Sequence, residues 1–218
     1  MSKTKIERAV WAGFVPKRLR PVIRGIEARG CRVEFLFHEG TACADALEEE
    51  RLDACLDGLL TCVDRTDMVI LAMNDSGVRE SGTILDPLDD ALLTQIYRNE
   101  CLLPLKILNR LMPLLERGAG KRIAVLTNRE DSHACCQDVS NYGHHMAAAA
   151  LRLALRQLFN ELHPDGYTFR LYCQDPQGND AYAAEYFLRD RSWEMEDPPH
   201  SDENRFVIHD ANGFEVPW

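Results

Sequence analysis

No stretch of this sequence approaches the roughly 20 consecutive apolar residues that a membrane-spanning helix requires. The opening MSKTKIERAV is polar and charged and lacks the apolar core of a secretory leader. Both absences predict a cytoplasmic protein with no membrane partner. Positive charge is also scarce: 25 Lys and Arg face 35 Asp and Glu, a formal net charge of -10. Nucleic-acid binding draws on Lys and Arg that displace counterions, so a nucleic-acid partner is excluded. Phosphate-loop, serine-elbow and Cys-x-x-Cys patterns are all missing. The eight cysteines are scattered through the chain and read as reduced thiols rather than a disulfide framework.

What is present is a hydrophobic fraction of 45% spread over 218 residues, enough for one sizeable core and one domain, 1–218. Apolar runs of strand length recur at Arg8–Gly13, Arg32–Phe37, Met68–Met73, Arg122–Thr127, Tyr167–Cys173 and Arg205–His209. Helical patterns separate them, at Lys17–Arg29, Ala44–Val63, Leu88–Leu115, Tyr142–Leu162 and Ala181–Asp190. Strands alternating with helices predict right-handed crossovers and an α/β, Rossmann-like, doubly wound parallel sheet. The acidic run Glu48-Glu49-Glu50 reads as solvated surface, and Asp86, Asp89 and Asp90 as partners of a helix N-terminus.

From Asn99 to Pro176 the chain carries an ordered series of landmarks. A helix with Asn99 near its middle leads to the turn Arg117-Gly118-Ala119-Gly120 and the strand Arg122–Thr127. A polar loop follows, then Tyr142-Gly143-His144-His145-Met146 opening an alanine-rich helix, and a strand ending at Asp175-Pro176. This order and spacing resemble the catalytic half of the short-chain dehydrogenase/reductase family. The resemblance implies hydride transfer with a nicotinamide cofactor, in which a Tyr is the general acid/base. A Lys four residues later lowers that Tyr's pKa and holds the ribose, a Ser orients the substrate, and an Asn supports a proton relay.

Carried onto this sequence, Tyr142 matches the Tyr and Asn99 the Asn. Met146 stands at the Lys position, and the Ser position falls at or beside Asn128, with Thr127 the nearest hydroxyl. An unassisted tyrosine with a pKa of about 10 is roughly 0.1% ionised at pH 7, and a thioether does not change that. The three glycines of the family's phosphate turn fall on Gly13, Lys17 and Leu19. Side chains at two of them occupy diphosphate space, and Pro16 and Pro21 remove donors. Lys17 and Arg18 offer charge alone at this vestigial cofactor site. The segment between Phe37 and Met68 has room for one good helix where the family places helix, strand and helix, so the outer edge strand is expected to be absent or very short.

His133, Cys135, Cys136, His144 and His145 lie close together in sequence, but vicinal Cys135-Cys136 and adjacent His144-His145 do not aim readily at one ion, and no metal is expected. The leading expectation is therefore a degenerate, non-catalytic family member with no cofactor. It would act as an assembly or regulatory subunit, as a homodimer or with an active paralogue, through helices 88–115 and 142–162, with the aromatic tail Phe214 to Trp218 available to cover a partner. The alternative is an oxidoreductase of the carbonyl or ketoacyl reductase kind, using NADP or NAD, with Tyr142, Asn99 and Thr127 or His145 in an altered site. A weaker third reading is a small-molecule sensor without turnover.

Overall fold

The computed structural model describes residues 6–13, 15, 19–37, 48–73, 80, 82–83, 85–174, 205–210 and 212–218. Six strands form one sheet: β1 (Arg8–Gly13), β2 (Arg32–Phe35), β3 (Met68–Ala72), β4 (Arg122–Asn128), β5 (Thr168–Gln174) and β6 (Val207–His209). Their order is β2-β1-β3-β4-β5-β6, and every pairing is parallel. Among the described residues β2 is an edge strand that pairs with β1 alone. Residues 38–47, where a further edge strand would arise, lie outside the described residues, as do Ala181–Asp190 and Asp175-Pro176.

Alternation along the strands divides the core into two layers. Ala9, Trp11, Met68, Ile70, Ala124 and Leu126 face helix α1 (Arg20–Ala28), which buries Val22, Ile23 and Ile26. Val10, Val69, Leu71, Ile123, Val125, Phe169 and Leu171 face the other way, against α2 (Glu49–Cys62), α4 (Leu103–Arg117) and α5 (Tyr142–Leu162). No helix among the described residues is long and apolar enough to cross a membrane.

Several expectations need correction. The helix expected over 88–115 is interrupted. Asp90–Tyr97 (α3) passes through a π-helical turn at Arg98–Leu102 before α4 begins. That turn adds a residue to the helical repeat, and the consecutive side chains Asn99, Glu100 and Cys101 all become buried. The acidic run Glu48-Glu49-Glu50 is solvated surface as expected, and along α2 Glu49 pairs with Arg98 and Lys106, Asp53 with Lys106, and Asp57 with Arg110. In the terminal segment, Trp218 stacks on Phe206, the Ser132 hydroxyl donates to the Pro217 carbonyl and the Ala134 N–H donates to the Trp218 carbonyl, while Phe214 stays exposed. Asp89 caps α3 by accepting from the Leu92 N–H at 3.0 Å, the helix-start role expected of it.

Asp67, before β3, ties the lower end of the sheet together. Its carboxylate accepts from the backbone N–H groups of Glu7 (2.9 Å), Arg8 (3.2 Å), Ala119 (2.9 Å) and Gly120 (3.3 Å). Burial works against its charge, but these four donors outweigh it and hold the Asp67 carboxyl below the usual range. The turn that carries Gly118 and Gly120 packs so closely here that a Cβ on Gly118 would lie 1.9 Å from the Thr66 carbonyl oxygen.

A buried charged cluster above the carboxyl ends of the strands

In open parallel sheets, ligands bind beyond the carboxyl ends of the strands, where the strand order reverses. Here that is the region of Gly13, Ala72 and Asn128. Gly13 has a reason to be glycine that needs no cofactor, since a Cβ there would lie 2.2 Å from the Ala72 carbonyl oxygen on the neighbouring strand. Lys17 and Arg18 lie outside the described residues.

Beside these strand ends, α5 begins at Tyr142 after Asn141 takes a left-handed turn. The Tyr142 hydroxyl donates to the Val139 carbonyl at 3.1 Å, within its own loop. One turn on, Met146 is half exposed. Asn99 is buried in the π turn. Thr127 and Asn128 end β4 as expected, but their polar groups serve a different set of residues from Tyr142.

That set centres on His144, which is 6% exposed. Its Nδ1 lies 2.5 Å from Glu100 Oε2, and its Nε2 lies 2.8 Å from Asp131 Oδ1. The second contact is a short ion pair. Asp131 stands in a short 3-10 turn (Arg129–Asp131) directly after β4. Its Oδ2 accepts from the Thr127 hydroxyl (3.1 Å) and the Asn128 N–H (3.0 Å). From two turns further along α5, Arg152 donates to the Thr127 hydroxyl (3.0 Å) and the Asn128 carbonyl (2.9 Å).

Burial alone would strip the proton from His144, but the Asp131 and Glu100 carboxylates overcome it and raise the imidazolium to about 10. Burial likewise opposes the charge on Asp131, and His144, the Asn128 N–H and Arg152 hold its carboxyl low. Both carboxylates therefore have a cation against them, as buried charges require. A cavity of about 30 Å³, room for a water molecule, adjoins Glu100, Thr127, Asp131, His144 and Arg152.

Sequence reasoning singles out His144 and His145 but misses Glu100, Asp131 and Arg152. A signal for Arg152 was present: His144, Arg152, Leu155 and Phe159 fall on the one buried stripe of α5, where an arginine calls for an anion. Adjacent histidines were expected to diverge. Instead, His145 Nδ1 lies 3.9 Å from Asp131 Oδ1, beside the His144 contact. The 3-10 turn places Asp131 over the start of α5, between the two rings.

No family model matches the chain. C-signal of Myxococcus xanthus, a short-chain dehydrogenase/reductase, is 32% identical over 165 residues, covering 72% of this chain and 95% of that protein. A carbonyl reductase from Pseudomonas aeruginosa PAO1 superposes with a TM-score of 0.71 at 13% identity, over 98% of this chain and all of that one. Enoyl-[acyl-carrier-protein] reductase (NADH) from Aquifex aeolicus VF5 superposes with a TM-score of 0.61 at 15% identity, over 79% of this chain and 74% of that one. These structures share the fold, and the 32% identity to C-signal over nearly all of that protein's length shows that the chain belongs to the short-chain dehydrogenase/reductase family.

Proposed function

We propose that this chain is a family member that no longer performs nicotinamide chemistry and serves as an assembly or regulatory subunit. The observation that carries the reading is Met146, a half-exposed thioether four residues after Tyr142 on α5, where the family's reaction needs an ammonium group. Nearby cationic charge does not replace it, since His144 is held by Glu100 and Asp131, and Arg152 is directed to Thr127 and Asn128. The relative C-signal is also named as a signal. Leu102 and Leu153, about half or more exposed on the long helices, supply apolar surface for a second copy or an active paralogue.

One arrangement favours the alternative, an oxidoreductase using NADP or NAD with an altered site. Thr127, Asp131, His144 and Arg152 gather where this fold binds ligands. An NADPH-oxidation assay over a panel of ketones, aldehydes and ketoacyl thioesters separates the two. We expect no turnover above the buffer rate. Turnover that is lost in Tyr142→Phe would establish the oxidoreductase.

A further inference from the structure

Asp131, His144 and His145 present one donor atom each to a common point. One ligand atom of each lies within 4.8 Å of the other two, and Asp131 Oδ1 is 2.8 Å from His144 Nε2 and 3.9 Å from His145 Nδ1. We propose that these three residues form a binding site for a divalent cation of the zinc class, a site independent of the nicotinamide question above.

Four observations support the site. First, one of the three neighbouring atoms, His145 Nδ1, is buried without a hydrogen-bond partner, and the Asp131 side chain it faces at 3.9 Å is only 1% exposed. Buried polar atoms are nearly always satisfied, so an orphaned imidazole nitrogen beside a buried carboxylate calls for a bound group. Second, the far side of each ligand is already held. Glu100 lies against His144 Nδ1, Asp138 against His145 Nε2 at 3.4 Å, and Thr127 and Asn128 against Asp131 Oδ2. A carboxylate behind each ligating imidazole is the arrangement that fixes the tautomer and raises ligand basicity in metal sites.

Third, the spacing suits a small ion. Tetrahedral ligands about 2.0–2.2 Å from zinc stand roughly 3.3–3.6 Å apart. The observed 2.8 Å and 3.9 Å separations bracket that range. Fourth, the donor set is two imidazoles and one carboxylate, which favours zinc, cobalt, nickel or ferrous iron over magnesium or calcium. The cation takes the place of the proton on His144 Nε2, and the adjoining cavity of about 30 Å³ has space for a water as a further ligand. Bound there, it fastens the first turn of α5 to the turn that follows β4.

The test uses the full chain, stripped with chelator and dialysed, at about pH 8, where competition from protons is reduced. Calorimetry with Zn²⁺ and visible spectroscopy with Co²⁺ should each give one ion per chain. Thermal midpoints should rise by roughly 5–10 °C at a hundredfold excess over the dissociation constant. His145→Gln, a change at the most exposed of the three ligands, should abolish the Co²⁺ spectrum. Asp138→Asn should weaken binding about tenfold or more. His133→Gln and Cys136→Ser should bind as the wild type does. Absence of binding by the folded wild type would overturn the site, as would unchanged binding by folded His145→Gln.

Discussion

Replacing His144 with Gln in metal-free buffer removes the imidazolium lying between Glu100 and Asp131. The wild-type imidazole bridges two buried carboxylates at 2.5 Å and 2.8 Å. Glutamine fills most of the space but carries no charge, so two carboxylates are left facing each other in a low-dielectric interior. Breaking a buried ion pair in this way costs about 3–5 kcal/mol. For a protein of this size that lowers the thermal midpoint by roughly 6–20 °C. Glu100→Gln alone leaves His144 paired with Asp131 and should cost only about 1–3 kcal/mol. In the double variant one of the stray charges is gone, so it should be no less stable than His144→Gln. The coupling between the sites is then about 1–3 kcal/mol. Urea unfolding of the four proteins, followed by circular dichroism in chelator, measures it. A His144→Gln cost below about 1 kcal/mol, or costs that add within about 0.5 kcal/mol, would refute the bridging arrangement.

Asp67→Asn should destabilise the fold by about 2–4 kcal/mol, because one amide oxygen cannot serve four N–H donors arranged around two carboxylate oxygens. Since the folded Asp67 carboxyl lies below its unfolded value near 3.9, its stabilisation is complete above that pH and is lost as the pH falls through the folded value. Acid titrations of stability should show a shallower loss in Asp67→Asn; an unchanged acid limb would count against the role. Gly13→Ala should cost more than about 2 kcal/mol in nucleotide-free protein, because the added methyl group meets the Ala72 backbone, and equal stability in urea would show that the strand contact imposes nothing. Light scattering should find a dimer that Leu102→Glu with Leu153→Glu converts to monomer; a monomeric wild type would remove the assembly surface.

The sheet was legible because each strand is an apolar run bounded by polar turns, and the structure returns Arg8–Gly13 and Tyr142–Leu162 with the expected bounds. Strand and helix periods depend on local pattern, which a sequence displays directly. The π turn at Arg98–Leu102 was not legible, because an inserted residue leaves the apolar stripe of α4 intact and only re-aims Asn99 and Glu100. Likewise, nothing local marks Asp131 as buried. Its burial follows from His144 and Arg152, residues 13 and 21 positions later, arriving over it on α5. The family resemblance drew attention to Tyr142 and Met146, whereas the buried charged cluster formed two residues from each, at His144.

The most direct test of the loss of nicotinamide chemistry is calorimetry with NADPH and NADH on the wild type and on Met146→Lys. Losing the phosphate turn at Lys17 and Leu19 and the ammonium group at Met146 removes separate contacts. At about 1.4 kcal/mol per tenfold, several such losses carry a micromolar cofactor past millimolar. No heat of binding is therefore expected from either protein at sub-millimolar nucleotide, and restoring the single lysine should not recover it. Micromolar binding by the wild type would contradict the account and make the altered-site oxidoreductase the better description.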